Sequence, residues 1–67
     1  MKAAAIHPRR YYLGGRAGRR RYVELVDALD GRAVLDYRER SGCGTTTYMG
    51  GVDLRHFAKW AKREEGT

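Results

Sequence analysis

Arginine, tyrosine and glycine dominate the stretch from Arg9 to Tyr22, whose sequence is RRYYLGGRAGRRRY. It contains six arginines, three tyrosines and three glycines, and it contains no acid. Arginine side chains neutralise phosphates, and tyrosine rings offer surfaces on which unpaired bases stack. The pattern predicts a surface that contacts nucleic acid. The candidate residues are Arg9, Arg10, Tyr11, Tyr12, Arg16, Arg19, Arg20 and Arg21.

The positive charge of the chain is concentrated in its first third. Residues 1–22 carry seven bases and no acid, whereas residues 23–67 carry seven bases and eight acids, within a formal net charge of +6. A basic segment of this kind fits the phosphate backbone of DNA or RNA as its partner. Two other interpretations stay open. The segment could be a solvated hairpin with tyrosines in the core, or it could bind an acidic protein.

The glycine-rich loop over residues 41–44 contains the one cysteine, Cys43. Nearby arginines could lower the pKa of its thiol, but neither His7 nor His56 has a motif relation to it. One cysteine and two scattered histidines are also too few for a metal site. We therefore expect a protein that is not an enzyme and that uses no cofactor or metal.

Two β-prone runs within residues 22–40, YVELVDAL and RAVLDYRER, predict a hairpin. Asp30–Gly31, which joins them, is a common hairpin turn. A two-residue loop would place Leu25 opposite Asp36, whereas a three-residue loop would place it opposite Leu35. We favour the three-residue loop, because it gathers the apolar side chains on one face.

The composition of the end of the chain predicts a helix over residues 54–65, with Asp53 as its N-cap. Apolar residues repeat there with helical spacing, at Leu54, Phe57, Ala58 and Ala61. Trp60 lies at the margin of this apolar stripe and is expected to be half-buried over the sheet. A basic helix face is expected from Arg55, Lys59, Lys62 and Arg63.

The remaining segments complete one small domain over residues 1–67. Strand candidates are Met1–Ile6, Arg10–Leu13 and Thr45–Met49, and Gly50–Gly51 is expected to end the last of them. The expected fold is mainly β (α+β): a small curved antiparallel sheet, an SH3-like barrel of four to five strands, with one C-terminal helix. A three-stranded sheet with a helix is the simpler alternative.

Three segments resemble the small uncharacterised proteins that bacteriophages and prophages encode. They are HPRRYY at residues 7–12, DYRERSG at residues 36–42 and FAKWA at residues 57–61. The resemblance implies a bacterial or phage-infected cell, and it supplies no catalytic residue. No signal peptide or membrane-spanning run is evident, and one cysteine fits a reducing compartment. The expected location is the cytoplasm.

Overall fold

The computed structural model describes residues 1–15 and 19–65, which form five strands, one helix and a short 3₁₀ turn. The strands are β1 (Arg10–Gly14), β2 (Arg19–Leu29), β3 (Arg32–Arg40), β4 (Thr46–Asp53) and β5 (Ala61–Glu65). The helix α1 spans Leu54–Trp60, and the 3₁₀ turn spans Ala3–Ala5, within the segment expected to be the first strand. The expected mainly-β fold with one helix is confirmed.

The five strands form one antiparallel sheet in the order β4-β3-β2-β1-β5. The sheet is open, with β4 and β5 as its two edges, and it does not close into the expected barrel. β4 and β5 are consecutive strands at opposite edges, so the chain between them must cross one face of the sheet. α1 makes that crossing and covers the face.

The core lies between α1 and the sheet. Phe57 is at its centre, with its ring centroid 5.8 Å from that of Tyr12, 5.4 Å from that of Tyr37 and 5.3 Å from that of Trp60. The expected half-burial of Trp60 is confirmed, since its side chain packs against the edge of this core. The buried residues are Ile6, Tyr12, Val23, Leu35, Tyr37, Leu54, Phe57, Ala58 and Ala61.

The β2–β3 hairpin contains both of the registers considered from the sequence. At the turn Leu29 pairs with Arg32, so the loop is the two-residue Asp30–Gly31, and Leu25 lies opposite Asp36. The preference for a three-residue loop was therefore wrong. Both turn residues have positive φ, at 51° and 76°, as a type I′ turn requires.

A bulge at Glu24 then shifts the register by one residue, so that Val23 pairs with Tyr37. That pair belongs to the three-residue register, and both of its side chains are buried. The bulge therefore returns the apolar residues of β2 to the core face after the turn has displaced them.

The helix is shorter than expected, because the chain leaves the helical conformation at Ala61, with φ −70° and ψ 128°. Residues 61–65 form β5, which pairs with β1, so the predicted helix over 54–65 was wrong beyond Trp60. No apolar residue follows Ala61 to continue the buried stripe, whereas β1 offers a free ladder of backbone groups. The N-cap is as expected, since Asp53 accepts hydrogen bonds from the backbone N–H groups of Arg55 and His56.

In the part of the chain that is described, no helix has the length and hydropathy to cross a membrane.

Gly14 is where the end of α1 meets β1. A Cβ atom at Gly14 would overlap the carbonyl oxygen of Trp60, and it would lie 3.0 Å from both the carbonyl carbon and the indole Cδ2. Backbone atoms cannot swing aside as a flexible side chain does. Only glycine lets the Trp60–Ala61 segment approach β1 closely enough to begin β5.

We predict that Gly14→Ala lowers the free energy of unfolding by about 1–3 kcal/mol, through overpacking against the Trp60 backbone. The measurement is urea denaturation followed by circular dichroism. Gly42→Ala is the matched control, because open space surrounds Gly42, and its effect is expected within about 0.5 kcal/mol. Equal denaturation midpoints for the two variants would show that the Gly14 contact is not a steric constraint.

Candidate nucleic-acid interface

The sheet has a covered face, under α1, and an open face on the opposite side. Successive side chains of a strand point to opposite faces. Tyr12 is fully buried under α1, whereas its neighbour Tyr11 belongs to the open face and is 40% exposed. The open face therefore presents the alternate residues of each strand to solvent.

Three tyrosines and an arginine lie side by side across four strands of the open face. Tyr11 of β1 pairs with Tyr22 of β2, Tyr22 pairs with Arg38 of β3, and Arg38 pairs with Tyr48 of β4. Tyr48 is 53% exposed, and Tyr22 is partly buried between its neighbours. We call Tyr11, Tyr22, Arg38 and Tyr48 the tyrosine row.

A second row lies two residue positions from the tyrosine row, toward the ends of β1 and β3 and the starts of β2 and β4. Leu13 pairs with Arg63 on one side and with Arg20 on the other. Arg40 follows Arg38 by two residues and pairs with Thr46. We call Arg63, Arg20 and Arg40 the arginine row; it runs parallel to the tyrosine row on the same face.

A cation–π contact between Arg20 and Tyr11 joins the two rows, and further contacts lie within the tyrosine row. The Arg20 guanidinium carbon lies 3.9 Å from the centroid of the Tyr11 ring, and that of Arg38 lies 6.0 Å from the centroid of the Tyr48 ring. The Tyr11 and Tyr22 rings are 4.8 Å apart and inclined by 52°. These contacts hold the rings and guanidinium groups in fixed positions, where planar ligands could stack.

A cavity of about 480 Å³ opens between the rows and the loop that joins β3 to β4. Such a volume is in the range of about 300–1,000 Å³ that small-molecule sites occupy. Rings, guanidinium groups and small polar residues surround it together. The lining consists of Tyr11, Arg20, Tyr22, Arg38, Arg40, Ser41, Gly42 and Thr46.

Asp36 fixes the β4 end of the tyrosine row. The Tyr48 hydroxyl donates a 2.7 Å hydrogen bond to one oxygen of the Asp36 carboxylate, and the Gly51 N–H donates a 2.9 Å bond to the other. The hydrogen bond from Tyr48, followed in size by that from Gly51, lowers the pKa of the Asp36 carboxyl group. The same contact with Asp36 raises the pKa of the Tyr48 hydroxyl. Gly51 has φ 66° in a bulge, so β4 continues to Asp53 instead of ending at Gly50–Gly51 as expected.

Only part of the predicted site lies on the open face. Tyr11 and Arg20 do, but Tyr12 has no exposed surface, and its hydroxyl accepts a 2.7 Å hydrogen bond from the His7 N–H. Tyr12 was predicted to stack on a base or to frame the site, and this was wrong, because its alternate position in β1 turns the ring into the core. Arg16 lies outside the described residues.

The other predicted arginines flank the covered face or the start of β1. Arg21 is held between the rings of Tyr37 and Trp60, at 4.5 and 4.0 Å, and its Nε donates a 2.8 Å bond to Glu39. Its side chain is 17% exposed, so its interactions are mainly internal. Arg9 is exposed, with φ 61°, and its N–H donates to the Val23 carbonyl.

Acids from later in the sequence reduce the charge asymmetry that the sequence shows. Arg10 is 3.5 Å from Glu64 and Arg20 is 2.9 Å from Glu65, while Arg19 is 3.8 Å from Glu39. β3 and β5, which flank the β1–β2 pair, supply these carboxylates. The local charge of +7 in residues 1–22 therefore does not form one unbroken basic patch.

Sequence reasoning missed most of the open-face residues. The predicted site was confined to the arginine-rich segment that forms β1 and the start of β2, whereas the open-face site spans all five strands. Alternation was the available signal, since Arg20 and Tyr22 are two residues apart, as are Arg38 and Arg40. The missed residues are Tyr22, Arg38, Arg40 and Tyr48, whereas Arg63 was expected on a basic helix face and lies in β5 instead.

A groove of about 590 Å³ lies on the covered side of the sheet, beside α1. Its floor is apolar, and Met49, at 44% exposure, is open to solvent there. Arg21, His56 and Lys59 supply nitrogen groups around the floor. The apolar floor consists of Tyr37, Met49, Val52, Phe57 and Trp60.

Cys43 lies in the loop beside the open-face cavity and is exposed. Its sulfur is 3.1 Å from Ser41 Oγ and 3.7 Å from Thr45 Oγ1. These hydrogen bonds, that of Ser41 first, lower the pKa of the thiol to about 7. No general base accompanies the thiol in these contacts, so they explain reactivity toward a reagent but not catalysis.

We predict that iodoacetamide alkylates Cys43 with a rate that rises with pH and reaches half its maximum near pH 7, because the thiolate is the reactive form. Ser41→Ala should move this midpoint toward about 8.5, the value of a free cysteine. Thr47→Ala leaves both loop hydrogen bonds in place and serves as the control. A midpoint that Ser41→Ala leaves unchanged would contradict the assigned cause.

Among residues 1–15 and 19–65, no three or more His, Cys, Asp or Glu side chains form a group that could hold a metal ion. Comparison of the chain with protein-family models, with curated proteins and with solved structures finds no match.

Proposed function

We propose that the protein is a small non-enzymatic nucleic-acid-binding module that uses the open face of its sheet. The observation that carries the proposal is the pair of parallel rows, whose residues Tyr11, Tyr22, Arg20, Arg38 and Arg40 line one cavity. Tyr48 continues the tyrosine row on β4. Guanidinium groups contact phosphates, and exposed rings stack on bases. Both kinds of group converge here from separate strands.

The roles follow from exposure and pairing. Arg40 and Arg63 are exposed and make no ion pair within the described ranges, so they are the first candidates for phosphate contact. Arg20 and Arg38 pair with Glu65 and Glu24 and are more than half exposed, and a phosphate can compete for such exposed pairs. Tyr11 and Tyr48 offer the most exposed rings.

The salt dependence of binding tests the proposal. If the four open-face arginines each neutralise one phosphate, log K should fall against log salt with a slope of about −2.8 for a single strand or about −3.6 for a duplex. Combining Arg40→Gln with Arg63→Gln should flatten the slope by about 1.4–1.8. Electrophoretic mobility shift at several salt concentrations measures both quantities.

The matched control is Arg32→Gln combined with Arg55→Gln. It removes the same charge, but both residues lie at the β2–β3 turn end of the molecule, around a separate cavity. An equal effect of the two double variants would mean that only net charge matters. Failure to shift DNA or RNA at low salt would rule out the proposal.

A second candidate function is binding of an acidic protein, which the groove beside α1 favours. Its apolar floor, with the exposed Lys59 and His56 side chains beside it, complements a short acidic segment that carries an apolar side chain. This function would use the covered side of the sheet. Variants can therefore separate it from nucleic-acid binding.

For this second candidate we expect a complex that survives nuclease treatment and is lost in Lys59→Glu, because reversing the charge repels an acidic partner. Pull-down from nuclease-treated lysate, followed by measurement of stoichiometry with the purified partner, provides the test. Tyr48→Ser, on the opposite face, is the control and should retain the complex. A complex that Lys59→Glu leaves intact would exclude the groove as its site.

We also propose that the protein works in the cytoplasm of a bacterial or phage-infected cell. The exposed, unbridged thiol of Cys43 supports a reducing compartment. The phage-like segments of the sequence support the host.

A further inference from the structure

We infer that the open face prefers single-stranded nucleic acid, with unpaired bases stacked along the tyrosine row and the sugar–phosphate backbone following the arginine row. This inference rests on the proposed function and names its ligand class. The two rows cross the strands in parallel, as the bases and the backbone of one extended strand do.

Ring accessibility is the first argument. Tyr11 and Tyr48 are exposed on a sheet that is about 19 Å wide, from four strand spacings of about 4.8 Å. In a duplex, each base face is covered by the next base pair, so a ring on such a broad surface cannot reach it. Unpaired bases can be splayed onto aromatic rings, and sheets commonly stack two or three bases in this way.

Charge is the second argument. The two rows and their surroundings contain four arginines, Arg20, Arg38, Arg40 and Arg63, and three carboxylates. The carboxylates belong to Glu24, Asp36 and Glu65. A formal surplus of about one charge gives weak attraction to a duplex, whose binding depends on many phosphate contacts. Stacking adds about 5- to 150-fold in affinity per base and does not depend on this surplus.

The cavity is the third argument. It is bounded by the Tyr11 and Tyr22 rings on one side and by Ser41, Gly42 and Thr46 on the other. Its volume of about 480 Å³ and its small polar wall suit a flat ring that enters with one polar edge. A base that remains paired and stacked cannot insert its ring into the cavity.

The test is fluorescence anisotropy with labelled ten-nucleotide single strands of DNA and RNA of mixed sequence, and with the matching duplexes, at low salt. We expect the single strands to bind at least about tenfold more tightly than the duplexes. Tyr11→Leu and Tyr48→Leu should each weaken single-strand binding at least about fivefold. Met49→Leu, next to Tyr48 but on the other face, should change it less than twofold.

A second measurement needs no substitution. Addition of a short single strand should shift the ring proton resonances of Tyr11, Tyr22 and Tyr48 in the intact protein. Tyr12 and Tyr37, which are buried in the core, serve as internal controls and should not shift. This readout decides the question even where a leucine variant fails to fold.

The outcomes separate the two levels of the proposal. Absence of binding to every strand and duplex would overturn the proposed function itself. Equal affinity for strands and duplexes, with unshifted Tyr11, Tyr22 and Tyr48 resonances, would overturn the single-strand inference and leave phosphate binding intact. Tighter single-strand binding with shifts confined to these three rings would support both.

Discussion

The crossing of α1 from the β4 edge to the β5 edge is the constraint on which the rest of the structure depends. It gives the sheet one covered face and one open face, and all of the core lies on the covered side. The crossing is possible because Gly14 lets the backbone of Trp60 lie against β1. Because the chain reaches β1 at this point, Ala61 is fully buried and β5 completes the sheet.

The same arrangement explains why the arginines of one short segment have two different roles. Residues that alternate along β2 go to opposite faces, so Arg20 lies over Tyr11 on the open face while Arg21 is enclosed by Tyr37 and Trp60. Arg21 therefore packs at the edge of the core, with its guanidinium group against Tyr37 and Trp60. Arg20 is the one placed where a ligand could reach it.

The sequence allowed the mainly-β class, the hairpin and the start of the helix to be predicted, because these follow from local signals. Asp30–Gly31 indicates a turn and Asp53 indicates a cap, whatever the rest of the chain does. The end of the helix could not be predicted in this way, because β5 forms only where β1 offers an edge. The bulge at Glu24 could not be predicted either, because it reconciles the register of the type I′ turn with a continuous apolar face. No local sequence pattern encodes both requirements.

The candidate site was predictable only in part for a similar reason. Tyr11 and Arg20 were identified from local composition, whereas Tyr22, Arg38 and Tyr48 become neighbours only through strand pairing. Tyr12 was misassigned because composition does not specify which of two adjacent residues faces inward. A strand register supplies that information, and the register depends on contacts between distant segments.

The Gly50–Gly51 bulge also bears on whether a further strand can add to the β4 edge of the sheet. β4 is an edge strand, and residues 46–52 carry no charged side chain that would discourage another strand from adding to it. The N–H of Gly51 is occupied by Asp36, and the ladder is irregular at that point. The uninterrupted part of the edge is thereby limited to Thr46–Met49. The Asp36 carboxylate that orients Tyr48 on the open face thus also holds a bulge that shortens the regular part of an uncharged sheet edge.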